Sequence, residues 1–335
     1  MSEKVKSIFL DNTTIHSDQI VDHDLTKPWQ TIFGAVNPNI NNDSLVAYWR
    51  FFDDHTTATL ITDSSGNGHA IVFPNGLSLS ADTPYKNKNA TISFNGTSDH
   101  GVVADHDDLS FGNGTTDQPF SISCWVKPGD LALGATAGIV SKENEYNFYL
   151  KNRSTDPAIK DYSVTLYLVD DPTAHHAYEY VLDTEAIVEG SWFNIVVSYN
   201  GAGLSATAGT DPIPGINFYV NGVYKDHSEQ LGNETGTYIA MDSVGNNMII
   251  GRFNSFSSTY FTGNISELAI WNRELTAAEA KALHDVKYGA MSNSFTSYSP
   301  RLMLRDADNQ RGQYPTVKRT GDKDRSGSFN IQFND

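Results

Sequence analysis

The sequence predicts an all-β fold, a sandwich of antiparallel sheets with one short helix near the C-terminal end. Three observations carry that prediction. Short alternating runs of apolar and polar residues recur between clusters of Gly, Asn, Asp and Pro, the spacing of strands and turns. Phe218-Tyr219-Val220-Asn221-Gly222-Val223-Tyr224 holds two strand halves joined by Asn-Gly, the strongest short hairpin signal. From Trp192 to Tyr199 the residues are almost continuously apolar, as in a strand covered on both faces.

Taken in order, the strand candidates are 45–52, 69–72, 91–94, 101–103, 121–126, 138–142, 147–150, 163–168, 178–182, 192–199, 217–220, 247–251 and 264–271. Each is bounded by turn formers. A helix follows. Thr276-Ala277-Ala278-Glu279 is a capping box, Leu275 and Ala280 fit a hydrophobic staple, Leu283 and Val286 extend an apolar face, and Gly289 suits the C-terminal cap. Cys124 is the single cysteine, so no intrachain disulfide and no cysteine zinc site can form. It sits in an alternating run and reads as a small core residue.

Three regions differ in texture. Residues 1–44 are polar and end in the turn-rich stretch Asn37-Pro38-Asn39-Ile40-Asn41-Asn42-Asp43. Residues 45–290 carry the strand pattern, and residues 291–335 are irregular again, with a net charge of +2. The whole chain of 335 residues has 40 acidic and 23 basic residues, a net charge of −17. That balance excludes a general nucleic-acid binder, which needs Lys and Arg to neutralise phosphate. No run reaches the roughly 18 apolar residues of a membrane span, and no Sec-type leader opens the chain.

Residues 45–290 resemble a laminin-G-like, concanavalin A-like jelly-roll domain. The resemblance rests on motifs in a fixed order: Leu45 to Asp53 as the opening strand, the Asp63-Ser64-Ser65-Gly66-Asn67-Gly68 loop, Ile92 to Gly96, Phe120 to Pro128, Trp192 to Tyr199, Phe218 to Gly222, Ile250-Gly251-Arg252, and Gly263 to Leu275 as the closing strand. It implies two antiparallel sheets packed face to face. It says little about function, because the fold hosts enzymes, lectins and interaction modules.

The resemblance also implies a structural Ca²⁺ site at Asp53, Asp63, Gly66, Asn67 and Glu267. The family's closing Ile-Asp-Glu reads Ile265-Ser266-Glu267 here, so one carboxylate is missing. Without a cation, Asp63 would close the turn on its own backbone. Carbohydrate binding needs aromatic faces for stacking and Asn or Asp for hydroxyls. The candidates are Tyr146, Tyr149, Tyr167 and Tyr178 with Asn144 and Asp170; ordinary strand composition would account for the same tyrosines. Glucan-cleaving relatives carry a Glu-x-Asp-x-(x)-Glu strand, whereas Glu179, Asp183 and Glu185 have the wrong spacing. His175-His176 cannot chelate from a regular strand, since adjacent side chains point to opposite faces.

The expectation is therefore a structural or adhesive protein without catalysis. The terminal segments 1–44 and 291–335 resemble, more loosely, the ends of lectin-like virion proteins of tailed phages. That likeness implies a capsid decoration, fibre or tail-attached subunit, located in the virion and oligomeric in its assembly, docked on other subunits through both arms. The alternatives are a Ca²⁺-assisted carbohydrate-binding module or adhesin for a cell-surface glycan and, third, a glycan hydrolase.

Overall fold

The computed structural model describes residues 7–10, 13–16, 44–51, 59–84, 91–154, 161–171, 176–182, 187–202, 215–225, 227–231, 238–253, 259–285 and 303–304. At 7–10, 13–16, 161, 171, 176–182, 227–231 and 303–304 that description is of the backbone. The chain divides into two compact units, Met1–Leu25 with Ser294–Asp335, and Thr26–Asn293.

In the first unit the two chain ends share one antiparallel sheet. Strand β1 (Ser7–Leu10) pairs on one side with β2 (Thr13–His16) and on the other with the last strand, Met303–Leu304. Ile8 faces Leu304 and Phe9 faces Met303.

The second unit is a sandwich of two antiparallel sheets, as the sequence predicts. Its strands are β3 (Leu45–Trp49), β4 (Leu60–Ile61), β5 (Ile71–Val72), β6 (Ser78–Ser80), β7 (Thr91–Asn95), β8 (Gly101–Val103), β9 (Phe120–Pro128), β10 (Thr136–Lys142) and β11 (Tyr146–Asn152). They continue with β12 (Asp161–Asp171), β13 (His176–Leu182), β14 (Ile187–Val188), β15 (Phe193–Tyr199), β16 (Ile216–Val220), β17 (Val223–Lys225), β18 (His227–Leu231), β19 (Met248–Ile250) and β20 (Thr262–Trp271). One sheet of ten strands runs β18-β13-β12-β11-β10-β19-β8-β5-β4, with β14 beside β12. The other, of eight, runs β17-β16-β15-β9-β20-β7-β6, with β3 beside β20.

Alternation in β9 and β15 explains the layering. Phe120, Ile122, Cys124 and Val126 of β9, and Ile195, Val197 and Tyr199 of β15, enter the core between the sheets. Trp125 and Val196 point the other way, into a second apolar cluster. The continuous apolar run of β15 is thus buried on both faces. Burial pushes the Cys124 thiol far above its ordinary pKa, the state of an inert core residue.

The helix α1 (Ala277–Asp285) covers that second cluster with Ala280, Ala282 and Leu283. Its N-terminus is built as the capping box predicts: Thr276 N donates to Glu279 Oε2 (2.9 Å) and Glu279 N to Thr276 Oγ1 (3.3 Å). The predicted Val286 and Gly289 lie outside the described residues. The Asn221-Gly222 hairpin also forms, with both residues at positive φ (52° and 74°), joining β16 to β17. Among the described residues, no helix is long and apolar enough to cross a membrane.

Candidate binding face and neighbouring clusters

The outer face of the ten-stranded sheet carries Tyr149 on β11 and Tyr167 on β12, two of the residues the sequence singles out. Tyr149 pairs with Thr165 and Asn147 with Tyr167, so all four share that face. Residues 251–253 and 259–261 pair with each other and cross over it: Arg252 bridges Tyr260, and Phe261 N donates to Gly251 O (2.8 Å). Gly138 on β10, the partner of Tyr149, makes this crossing possible. A Cβ at Gly138 would lie 2.2 Å from Phe253 N and 2.3 Å from Arg252 C. Gly138 N and Phe253 N both donate to Thr259 O, tying the two segments to β10.

The result is an aromatic cluster. Phe253 meets Tyr149 edge to face at 5.3 Å between ring centroids and lies 6.2 Å from Tyr167. Tyr149 and Phe253 are nearly buried, whereas Tyr167 is half-buried. The Thr165 hydroxyl at the floor is buried and has no hydrogen-bond partner among the described residues. Beside Phe253, Arg252 holds its guanidinium carbon 5.6 Å from the ring centre of Tyr260, and His100 packs edge-on to the same ring at 6.0 Å. These three side chains are half-buried.

Of the remaining predicted sugar residues, Tyr146, Asn144 and Asp170 do not join this face. Tyr146 is fully buried in the core, its hydroxyl donating to Leu109 O at 2.9 Å, so no sugar reaches it. Asn144 takes the left-handed position (φ 64°) in the turn between β10 and β11. Asp170 is buried and accepts from Ile239 N (2.9 Å), holding the segment before β19. Tyr178 lies opposite Leu168 in the ladder, and its side chain is outside the described residues. Sequence reasoning missed Phe253, Arg252, Tyr260 and His100, because their meeting depends on a crossing over Gly138 that only the fold reveals.

The residues of the implied Ca²⁺ set fit a hydrogen-bonded loop better than a cation cage. Asp63 Oδ1 accepts from Tyr48 N (2.9 Å) and Ser65 N (2.8 Å). Asp63 Oδ2 accepts from Ser65 Oγ (2.6 Å), Gly68 N (3.1 Å) and His69 N (3.1 Å). A cation at this carboxylate would displace donors that close the loop. Asn67 turns its amide inward, donating to Leu45 O and Val46 O, and Gly66 is exposed at φ 89°. Glu267 accepts from Tyr48 Oη at 2.5 Å. It sits at φ 52° in a bulge, where β20 changes partner from β7 to β3. Asp53 lies outside the described residues.

Other buried carboxylates also hold structure. Asp117 accepts from Tyr199 Oη (2.6 Å), Tyr238 Oη (2.8 Å) and Met241 N (2.8 Å). Burial outweighs those donors and raises its pKa. Lys142, fully buried, binds Asp105 Oδ1 (2.6 Å), Glu145 Oε1 (3.0 Å) and Asn246 O (2.8 Å). Burial raises the Glu145 pKa despite Lys142.

One further cluster, unforeseen from sequence, joins two loops. His69 Nε2 lies 3.0 Å from Asp108 Oδ2, and His106 Nδ1 lies 2.6 Å from Asp108 Oδ1. His69 follows the Asp63 loop, while His106 and Asp108 belong to the turn after β8, whose 3₁₀ segment is Asp107–Leu109.

The family profile described as the concanavalin A-like lectin/glucanases superfamily matches residues 95–281, more than half of the chain. Among solved structures, the binding domain of Paraclostridial Mosquitocidal Protein 1 superposes with a TM-score of 0.51 at 17% identity, over 72% of this chain and 52% of that one. The botulinum neurotoxin serotype G binding domain gives a TM-score of 0.50 at 17% identity, over 72% and 51%. The matched region thus spans about half the length of those structures, and at this identity the likeness concerns the fold. No curated protein matches the sequence.

Proposed function

The chain belongs to the concanavalin A-like lectin/glucanases superfamily, and on that premise we propose that it is a non-catalytic module binding a glycan on the outer face of its ten-stranded sheet. The observation that carries this reading is the crossing of residues 252–253 over Gly138. It gathers Tyr149, Phe253 and Tyr167 over the buried Thr165 hydroxyl and sets Arg252, Tyr260 and His100 alongside. The half-buried Tyr167 and Tyr260 offer ring surface to the C–H faces of a sugar, the Arg252 guanidinium supplies hydrogen bonds, and the buried Tyr149, Phe253 and Thr165 support them from beneath. Non-catalytic action agrees with the carboxylates. Asp63, Asp117, Glu145, Glu267 and Glu279 each serve a structural partner. Glycoside cleavage would need two carboxylates free to flank a bond. The side chains of Glu179, Asp183 and Glu185 lie outside the described residues. The two solved structures named above are themselves binding domains, which agrees with the reading.

The test is a panel of immobilised glycans probed with the full chain and with Tyr167→Ala, alongside an assay for released reducing ends. Retention of one glycan class by the parent, its loss in the variant, and no sugar release is the expected result. Sugar release that disappears in Glu179→Gln would replace this reading with the hydrolase.

The pairing of the chain ends favours a second reading, attachment to a larger assembly. In the sheet of β2, β1 and Met303–Leu304 the two chain ends come together as strands, the element through which strand addition by another subunit would work. A virion is one such assembly, with this chain as capsid decoration, fibre or tail-attached subunit. Limited proteolysis with a mass readout tests it. Terminal segments cut from the free chain but protected on particles support attachment, and a free monomer resistant end to end contradicts it.

A further inference from the structure

We propose that His69, His106 and Asp108 form a site for a divalent transition-metal ion of the Zn²⁺ class, separate from the glycan face and from the Asp63 carboxylate. Two imidazoles and one carboxylate converge here, with one ligand atom from each all within 4.8 Å of one another. Asp108 offers one oxygen to each histidine, at 3.0 and 2.6 Å. The two rings stand at 67° to each other with centroids 5.1 Å apart, so their nitrogens approach the carboxylate from different directions.

The backbone segments that carry the three side chains are anchored on either side. Trp49 Nε1 donates to His69 O (2.6 Å), and His69 N is bound to Asp63 Oδ2 (3.1 Å). The turn bearing the other two ligands is fixed just before His106 by the buried Lys142–Asp105 contact and by Asp105 N donating to Asn247 Oδ1 (3.0 Å). Just after Asp108 it is fixed by Tyr146 Oη on Leu109 O (2.9 Å). Ligands on two loops anchored in this way need little reorganisation on binding.

The donor set decides the class of ion. Imidazole nitrogen suits Zn²⁺, Ni²⁺, Cu²⁺ and Co²⁺, whereas Ca²⁺ takes six to eight oxygens. The burial is graded. The His69 side chain is 4% exposed, that of Asp108 36% and that of His106 60%. Three protein ligands with one side open to solvent leave at least one position for water or an outside ligand.

Co²⁺ is the probe, since its visible absorption is weak in six-coordinate water and strengthens in a four- or five-coordinate protein site. The full chain is stripped with EDTA, dialysed and titrated with Co²⁺, then back-titrated with Zn²⁺. One equivalent should bind, develop a visible band and be displaced by Zn²⁺. His106→Gln and Asp108→Asn should each weaken binding at least about tenfold, the lower end of what is lost when a residue that merely orients a metal ligand is removed. His106 is mostly exposed, so that variant should melt as the parent does without metal. The proposal is overturned if the parent binds no stoichiometric Co²⁺, in which case Asp108 is a carboxylate hydrogen-bonded between two histidines. It is equally overturned if binding survives both substitutions or is lost instead in His175→Ala or His176→Ala.

Discussion

Tyr149 and Phe253 meet edge to face, 5.3 Å between ring centroids, across a strand position that has no side chain. Gly138 leaves the space through which residues 252–253 cross the sheet. Gly138→Ala puts a methyl 2.2 Å from Phe253 N, and backbone atoms cannot yield as a flexible side chain does. The substitution should cost at least about 2 kcal/mol, as overpacking does. It should also weaken glycan binding more than Tyr167→Ala, because it displaces Phe253, Arg252 and Tyr260 together. Thermal melts and binding isotherms of the two variants check this.

Asp63 is a loop organiser, and its removal should be costly without any cation. Asp63→Ala leaves the N–H groups of Tyr48, Ser65, Gly68 and His69 without their acceptor. A loss of about 3 kcal/mol is expected, with a smaller loss for Asp63→Asn, which keeps one acceptor oxygen. Chelation of Ca²⁺ by EGTA should leave the parent's melting temperature unchanged. A drop of several degrees would give the carboxylate set a cation after all.

Acid should loosen the helix cap. Burial opposes the charge on Glu279, but the Arg273 guanidinium and the Thr276 donors outweigh it and hold its pKa below 4.5. A lowered folded pKa means that the unfolded chain binds more protons between the two values. Stability from this group is therefore complete above about pH 4.5 and lost as pH falls through the folded value. Asp117 has the opposite sign: its raised pKa favours the folded state at low pH, and that contribution fades as pH rises above 3.8. Glu279→Gln should lower stability at pH 7 by about 1–2 kcal/mol and flatten the fall between pH 5 and 3. Urea melts across that range measure both effects.

The β16–β17 turn couples to the helix. Gly222 sits at φ 74°, and a Cβ there would lie 2.9 Å from Lys281 Cα. Gly222→Ala should cost about 1–2 kcal/mol from the left-handed conformation alone, and more from the helix contact. Hydrogen exchange should then show faster opening in α1 as well as in the hairpin. Acceleration confined to the hairpin would contradict the coupling.

Much of this architecture is legible in the sequence, for reasons visible in particular residues. Alternation in β9, the Asn221-Gly222 turn and the Thr276–Glu279 box are local signals, and the structure realises each locally. The short strands Leu60–Ile61 and Ser78–Ser80 went unforeseen because two or three residues show no periodicity. The binding face was half legible. Tyr149 and Tyr167 announce themselves as strand aromatics, but Tyr146, three residues before Tyr149, points into the core, and composition does not tell the faces apart. Phe253 and Arg252 come from more than 80 residues farther along. His69 and Asp108, 39 residues apart, meet only because β5 and β8 are neighbours in the sheet.

The central claim is that the aromatic face over Gly138 is where a glycan binds. Its most direct test is calorimetric titration of the full chain with the glycan retained on the panel, repeated with Tyr167→Ala and Tyr260→Ala after each variant is shown to melt like the parent. The account predicts saturable binding by the parent and binding about three- to tenfold weaker in each variant, the scale of one lost stacked ring. Equal affinity in parent and both variants would place the site elsewhere on the molecule and contradict the account.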